Sequence, residues 1–256
     1  MRKKEFGTLV KSVLKAAEIL TVLGDSDEQA MTFKEIESSI DMPRSTVHRI
    51  LATLEYSGLV QQDADTGKYR LGSKILQLGG RMLSGIPVID KARPYLEQLA
   101  RDCDETVNLA ILNFPHIIYI DVVQGRRLFR SNLLIGTKTF CHCTALGKVL
   151  LAYAKDVDSA ALAKETGLPA QTPRTITNEQ RLAVEMELVK AQGYGVDDEE
   201  LEVGLKCMAV PIRDHTGNVV AAISVSGSAQ RFVGQEFDRV LNLLRSAGRD
   251  ISEQIG

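Results

Sequence analysis

The chain has 256 residues, of which 44% are hydrophobic and 25% are charged, enough apolar material for two ordinary domain cores. Its 31 lysines and arginines against 33 aspartates and glutamates give a net charge of −2, which excludes a uniformly basic nucleic-acid coat protein. No apolar run approaches the length of a membrane span, and the basic start MRKKEFGTL lacks the apolar core of a signal peptide. We therefore expect a cytoplasmic protein of two domains with no membrane partner.

The segment 41–58, DMPRSTVHRILATLEYSG, predicts one short helix with a different role for each face. Val47, Ile50, Leu51 and Leu54 recur at helical spacing and predict a buried stripe. Cationic and hydroxyl side chains occupy the first turns, mostly off that stripe: Arg44, Ser45, Thr46, His48 and Arg49. These groups suit a helix that reads DNA in the major groove. Taken alone, the segment is more typical of a solvated amphipathic helix.

The preceding segments favour a helix-turn-helix. Apolar residues in the segment 9–23 have helical spacing, which predicts a first helix. Thr32 and Glu35 are spaced for a capping box at the start of a second helix. Within the third, Pro43 suits the first helical turn and Gly58 suits the left-handed position just after the end.

Two short strand-like runs, LVQQD and KYRLG, follow and flank the turn 64–67, which predicts a β-hairpin. Three helices and a hairpin make a winged helix-turn-helix over residues 1–72, with Lys68 and Arg70 placed to reach phosphates. Since the net charge is negative, phosphate attraction must be local, and the start of the chain adds Arg2, Lys3 and Lys4. A winged helix used only for protein contacts remains the alternative.

The segment 73–85 predicts a linker helix. Its apolar residues follow one helical face, but Gly79 and Gly80 interrupt it. So short and glycine-weakened a helix is marginal by itself. We interpret it as a linker that buries its stripe against a second copy of the chain in a homodimer; packing on its own second domain is the alternative.

Residues 86–256 alternate between helices and strands. The runs 106–112 and 116–123 predict an antiparallel pair, which LFRSNLLIG at 128–136 continues. Helices are predicted near TALGKVLLAYA, from 159 and from 178, the last opened by a capping box of Thr177 and Gln180. A hairpin and a C-terminal helix end the chain. This order predicts an α+β sensor domain of the GAF or profilin kind.

Several segments together resemble one family. They are PRSTVHRILATLE and GLV in the first domain, and DETVNLAIL, TALGKVLLA, GYGVDDEELEVGLKCMAVPI and ISVSG in the second. In order and spacing the chain resembles the IclR family of transcriptional regulators over nearly its full length. The resemblance implies a DNA-binding domain, a linker helix, an effector-binding domain, and a homodimer or dimer of dimers on operator DNA. It implies a regulator rather than an enzyme, and we expect repression of a catabolic operon and no cofactor.

A small-molecule pocket is predicted in the second domain. The first-turn amides of Ala145 and Leu146 form an anion site at a helix N-terminus, and strand spacing turns Ser224 and Ser226 to one side. The resemblance implies that Asp197, Cys207, Ser224 and Ser226 line the pocket, which suits a small hydroxylated or keto acid. Sugar-acid-sensing relatives resemble the chain at TALGKVLLA, RTIT and GYG. The alternative is that the serines are merely small and that the aspartate caps a turn.

The thiols allow a different hypothesis. Cys141, His142, Cys143 and Cys207 are candidates for a zinc site or a redox switch, and Asp197 could complete a metal site with His142 and Cys207. The four cysteines of the chain lack CxxC spacing. An enzyme with Cys207 as nucleophile and His142 as base is rejected, because the sequence has no nucleophile elbow, phosphate loop or dinucleotide fingerprint.

Overall fold

The computed structural model describes residues 9–26, 28, 30–126 and 134–255. Its contacts divide the chain into two compact units, one ending at Gly85 and the other beginning at Ile86. No helix in these described ranges is both long and apolar enough to cross a membrane. The basic group Arg2, Lys3 and Lys4 lies outside the described residues, as does the part of the predicted strand from 128 to 133.

The first unit contains the predicted three helices and hairpin. Its elements are α1 (Lys11–Asp25), α2 (Phe33–Ser38), α3 (Arg44–Tyr56), β1 (Val60–Gln62), β2 (Tyr69–Leu71) and α4 (Ser73–Ser84). The strands pair antiparallel, with Gln61 opposite Arg70. Ile19, Ile36, Val47 and Leu51 are almost fully buried and form the centre of the core. The helix-turn-helix prediction is confirmed, and its wing is the β1–β2 hairpin.

Local signals at the helix ends explain where these elements begin and end. Thr32 and Glu35 form the predicted capping box, with the Thr32 hydroxyl accepting from the Glu35 amide. Gly58 has φ of +75°, the left-handed conformation predicted for it. Pro43 differs from the prediction, because it is the N-cap residue immediately before α3 rather than part of the first turn.

Helix α4 has no buried residue. Leu76, Leu78 and Met82 are exposed, Leu76 by 78%. Gly80, in the middle of the helix, has open space around the position that a Cβ would occupy. Leu78 and Met82 of the predicted apolar stripe are therefore unpacked within the first unit, whereas Leu76 lies on another face of the helix.

The second unit is an α+β domain, as predicted. Its helices are α5 (Pro87–Cys103), α6 (Ala145–Ala152), α7 (Ser159–Thr166), α8 (Glu179–Gln192) and α9 (Gly234–Ile255). Its strands are β3 (Thr106–Asn113), β4 (His116–Val123), β5 (Lys138–Phe140), β6 (Gly195–Asp198), β7 (Leu205–Arg213) and β8 (Val219–Ser228). The order in the sheet is β5-β4-β3-β8-β7-β6, with every neighbouring pair antiparallel.

Helices cover both faces of this sheet. Strand alternation turns Ala209 and Ala222 toward the core formed with α6, α7 and α8. It turns the neighbouring Val210 toward α9, where Gly248 allows close contact because an added Cβ would lie 2.7 Å from Val210 Cγ2. Helix α5 packs beside α9. Residues at successive positions along one strand therefore belong to different cores.

Three sequence expectations for this unit are wrong in detail. Strand β6 was not predicted, since Asp197 was expected at most to cap a turn there. Asn178, not Thr177, caps α8, because its side chain accepts from the Arg181 amide at 3.0 Å. The described end of the predicted strand 128–136 is a turn with Gly136 at φ +92°, and the strand that pairs with β4 is β5.

Two glycine-to-alanine substitutions should have opposite effects on the free energy of unfolding. In Gly147→Ala the new Cβ would lie 2.4 Å from Cys141 Cα, so we expect a loss of about 1–3 kcal/mol or more. Gly80→Ala meets no neighbouring atom, so we expect a gain of about 0.5–1 kcal/mol from helix propensity. Urea unfolding measures both. Equal effects of the two variants would contradict the packing described for α6.

Candidate DNA-binding surface and ligand pocket

The polar face of α3 is exposed. Arg44, Ser45, His48 and Arg49 lie on it and line a concave surface with Phe33 of α2. The Arg44 guanidinium lies 4.9 Å from the centre of the Phe33 ring and forms a 3.1 Å ion pair with Glu37. The helix has no side-chain cap and no acidic residue in its first turn, so its positive dipole end is uncompensated. The surface combines cationic side chains with a helix N-terminus, which suits an anionic partner.

The other predicted DNA contacts differ in position. Thr46 is half-buried and lines a groove shared with α1, so it is not part of the concave surface. On the wing, Lys68 forms an ion pair with Glu28 at 3.1 Å, and Arg70 donates to the Gln61 side chain at 3.3 Å. Such exposed contacts are weak, and phosphates can replace them.

The six residues predicted to bind an effector surround a single cavity in the second unit. The full lining is Tyr119, Thr144, Ala145, Leu146, Asp197, Leu201, Leu205, Cys207, Ser224 and Ser226. Strand register brings the polar groups together, because Asp197 pairs with Cys207 on β7, and Cys207 pairs with Ser226 on β8. The space open to the centre of a water molecule is about 20 Å³, room for one or two waters. Binding a larger molecule requires the lining to move.

The turn before α6 places the helix N-terminus at this cavity. Thr144 caps α6: its hydroxyl accepts from the Gly147 amide at 3.1 Å and donates to the Phe140 carbonyl at 2.8 Å. The amides of Ala145 and Leu146 therefore lie in the first turn, before the intrahelical hydrogen bonds begin. Gly147 is required because Cys141 lies directly against it. The CHC sequence thus forms a tight packed turn, not the extended strand that would align its two thiols.

Asp197 is the carboxyl group in the lining of the cavity. Its Oδ1 accepts from the amides of Glu200 at 2.7 Å and Leu201 at 3.3 Å, whereas Oδ2 has no hydrogen-bond partner among the described residues. The pKa of Asp197 is raised to about 7, mainly by burial and also by the nearby Glu200 charge, while the two amides and the Lys148 charge act to lower it. The carboxyl group therefore changes protonation near neutral pH, with one oxygen free to meet a ligand.

A buried lysine holds the connection between β6 and β7 in place. Lys148 of α6 is 1% exposed, and its Nζ donates to Glu185, to Glu200 and to the Val196 carbonyl at 2.8 Å. Burial raises the pKa of Glu200, opposed by the Lys148 charge. Because Leu201 follows Glu200 and lines the cavity, the ion pair determines the position of one cavity wall.

Two threonines fasten the same connection from the other side. The Thr175 hydroxyl donates to the Glu200 carbonyl at 2.6 Å, and the Thr172 hydroxyl donates to the Glu199 carbonyl at 2.7 Å. Both belong to the sequence TPRTIT, which contains the RTIT motif. Loop 199–204 is therefore held from two sides, by Lys148 of α6 and by the hydroxyls of Thr172 and Thr175.

Several residues of the site were not predicted from the sequence. Tyr119, Thr144, Leu201 and Leu205 also line the cavity. Asn108 lies behind it, and its side-chain nitrogen donates to the Ser224 and Ser226 hydroxyls at 3.2 and 3.0 Å. The only available signal for Asn108 was a single amide in the otherwise apolar strand TVNLAIL.

All four cysteines of the chain and His142 are buried. No group of three histidine, cysteine or acidic side chains suited to a metal ion occurs among the described residues. Burial raises the pKa values of Cys141 and Cys143 to about 12 and that of Cys207 well above its ordinary value, so these thiols stay protonated. His142 is hydrogen-bonded to the Pro169 carbonyl at 3.0 Å, and burial lowers its pKa. The positions of these side chains therefore give no support to the predicted metal and redox alternatives.

Comparison with known proteins decides the family. Residues 12–64 match the model of the IclR helix-turn-helix domain, and residues 80–253 match that of the bacterial transcriptional regulator IclR C-terminal domain. The chain belongs to the IclR family. It is therefore a DNA-binding transcriptional regulator, and the prediction that it is not an enzyme is confirmed by relatives that are named as regulators.

Individual relatives are similar over most of their length. The chain is 36% identical to the HTH-type transcriptional regulator KdgR of Escherichia coli strain K12, covering 96% of this chain and 93% of that protein. It is 33% identical to the HTH-type transcriptional repressor AllR of Salmonella typhimurium strain LT2, covering 87% and 82%. The crystal structure of the Thermotoga maritima IclR matches with a TM-score of 0.76 at 31% identity, covering 96% and 99%.

The raised pKa of Asp197 should appear as a pH dependence of stability. Between its ordinary value of 3.8 and about 7, the folded chain binds more protons than the unfolded chain, so stability falls as pH rises through this window. We expect Asp197→Asn to gain stability relative to the wild type between about pH 5.5 and 8, at up to about 1.4 kcal/mol per pH unit. Urea unfolding at both pH values measures this.

Asp197→Ala provides a second variant in the same experiment. It removes the titrating carboxyl together with its hydrogen bonds to the Glu200 and Leu201 amides. It should therefore lose the same pH dependence while being less stable than Asp197→Asn. A wild-type pH dependence that persists in both variants would assign it to another group.

Proposed function

We propose that this IclR-family regulator is a sequence-specific repressor of a catabolic operon whose DNA binding is controlled by a small carboxylic acid. In this proposal residues 1–72 bind operator DNA, 73–85 form the linker helix and 86–256 bind the effector. The observation that carries the proposal is the single cavity that brings together the α6 N-terminus, two serine hydroxyls and the free Asp197 oxygen. A relative named as a repressor supports the direction of control.

The DNA contacts follow from the exposed face of α3. Arg44, Ser45, His48 and Arg49 would face base edges and phosphates in the major groove, since they are exposed near the helix N-terminus. Lys68 and Arg70 on the wing would contact phosphates. Thr46 is also a proposed DNA contact. Because its side chain is half-buried, it would contact DNA through its backbone or after its side chain shifts.

The effector class follows from the donors and acceptors of the cavity. The first-turn amides of Ala145 and Leu146 and the hydroxyls of Ser224 and Ser226 can donate to a carboxylate. Asp197 can accept from a hydroxyl of the same ligand when ionised, or donate to a keto oxygen when protonated. Buried Cys207 adds an apolar wall. These groups fit a compact sugar acid or keto acid.

Entry of such a ligand requires loop 199–204 to move, because the cavity as it stands accepts only water. The loop is held by Lys148, Thr172 and Thr175. A ligand can shift a conformational equilibrium only by the difference in its affinity for the two states. We propose that displacement of this loop distinguishes the ligand-bound state from the free state.

We propose that the chain binds DNA as a homodimer. Leu78 and Met82 of α4 lie on one exposed apolar face, and a second copy of the helix would cover it. A dimer contacts two DNA half-sites, which compensates for the small number of cationic groups on each first unit. Two such dimers on one operator would form the dimer of dimers.

Substitutions at the two sites should separate DNA binding from ligand response. Arg49→Gln should weaken operator binding about tenfold or more and reduce the salt dependence, because it removes a cationic contact, while leaving effector affinity unchanged. Ser226→Ala should leave binding to bare operator nearly intact but weaken the ligand response about tenfold, the usual scale for a lost hydrogen bond to a charged group. Fluorescence anisotropy with operator DNA measures the first, and calorimetry with the acid measures the second.

Each variant is the control for the other. A serine variant that loses operator binding, or an arginine variant that loses effector binding, would contradict the assignment of separate sites. Loss of both functions in both variants with intact folding would show that the two activities share one surface.

A further inference from the structure

Three arginines line a groove of about 560 Å³ in the second unit, none of whose lining residues belongs to the ligand cavity. Arg213 lies at the end of β7, and Arg245 and Arg249 lie one turn apart on α9. Pro211 and Gly248 contribute to the walls. The groove is open, so its arginines are accessible to a dissolved molecule.

The protein holds two of these guanidinium groups in fixed positions without neutralising them. Arg213 stacks 4.5 Å from the centre of the Tyr153 ring and donates to the Gly217 carbonyl at 3.0 Å. Arg245 stacks 4.9 Å from the centre of the Tyr194 ring and donates to the Gln192 carbonyl at 2.8 Å. An aromatic ring and a neutral carbonyl orient a guanidinium and leave its full charge and several N–H donors available.

The three arginines also lack acidic partners. Within the described part of the chain, no carboxylate lies within 4.0 Å of Arg213, Arg245 or Arg249. In the same unit Arg93 and Arg231 each form ion pairs with carboxylates.

Glu253 is the one acidic residue in the groove lining. With three arginines and one glutamate, the lining has a formal charge of +2. Arg249 is exposed and makes no hydrogen bond or ion pair with any described residue. The groove thus concentrates positive charge on a chain whose net charge is −2.

We propose that this groove is a second ligand site, which binds a small molecule carrying two or more negative charges, such as a phosphorylated or polycarboxylate metabolite. Guanidinium groups bind phosphate and carboxylate through paired N–H donors. Three of them around one groove favour a multiply charged anion over a monocarboxylate, because each charge can meet its own arginine. The volume falls within the range of ordinary small-molecule sites.

Calorimetry on the full chain tests this directly, with pyrophosphate and citrate as probes at low ionic strength. We expect saturable binding of at least one probe with one site per chain, weakened by added salt. Arg249→Gln and Arg213→Gln should each weaken binding about tenfold, the scale of one lost charge-assisted contact. Arg249 has no described contact to lose, so its variant should fold normally.

Arg181→Gln is the matched control. Arg181 is an exposed arginine on α8 outside the groove, so it changes the net charge equally and should leave probe binding unchanged. Ser226→Ala in the ligand cavity should also bind the probes normally, which separates this test from that of the effector proposal. The proposed site would be overturned if neither pyrophosphate nor citrate bound at about 10 mM. It would also be overturned if Arg181→Gln weakened probe binding as much as the groove variants do.

Discussion

The buried ion pair between Lys148 and Glu200 is the constraint on which the ligand cavity depends. Lys148 is almost fully buried, and breaking a buried pair leaves an uncompensated charge that typically costs about 3–5 kcal/mol. Its contacts join α6 to α8, to β6 and to the connection after β6. The same helix presents its N-terminal amides to the cavity, so one side chain fixes two of the cavity walls relative to each other.

This arrangement makes Asp197 chemically unusual. The Glu200 amide that binds Asp197 Oδ1 belongs to the residue that Lys148 anchors, so the carboxyl group is held in a buried position with its second oxygen unpartnered. A buried polar atom without a partner is costly. A ligand that hydrogen-bonds to this oxygen would remove the cost and so stabilise the ligand-bound conformation. Because the carboxyl group titrates near neutral pH, such binding would be coupled to proton uptake or release.

The sequence predicted the elements with strong local signals and missed those determined by tertiary contacts. The capping box at Thr32 and the left-handed Gly58 are local, and both are present as predicted. Strand β6 could not be predicted from the sequence because GVDD lacks apolar alternation. It is stabilised instead by pairing with β7. Asn178, not the predicted Thr177, caps α8. Threonine and asparagine are both good capping residues, so the sequence does not decide between these two adjacent positions.

The candidate site shows the same division. The family resemblance predicted that Asp197, Cys207 and the two serines line the pocket. Strand register explains why these residues lie side by side at the cavity. Asn108 and the hydroxyls of Thr172 and Thr175 act across strands and loops more than 20 residues apart in sequence, which no local pattern records. The CHC motif suggested metal chemistry, but the tight turn against Gly147 explains it as packing.

The most direct test of the account is an anisotropy titration of the wild-type protein with DNA from upstream of its neighbouring genes. It should be carried out over a range of salt concentrations and with a panel of sugar acids, keto acids and aromatic acids. We expect specific, salt-sensitive binding that one small acid weakens. Specific binding that no acid alters but a chelator or oxidant does would contradict it and restore the thiol-sensing hypothesis.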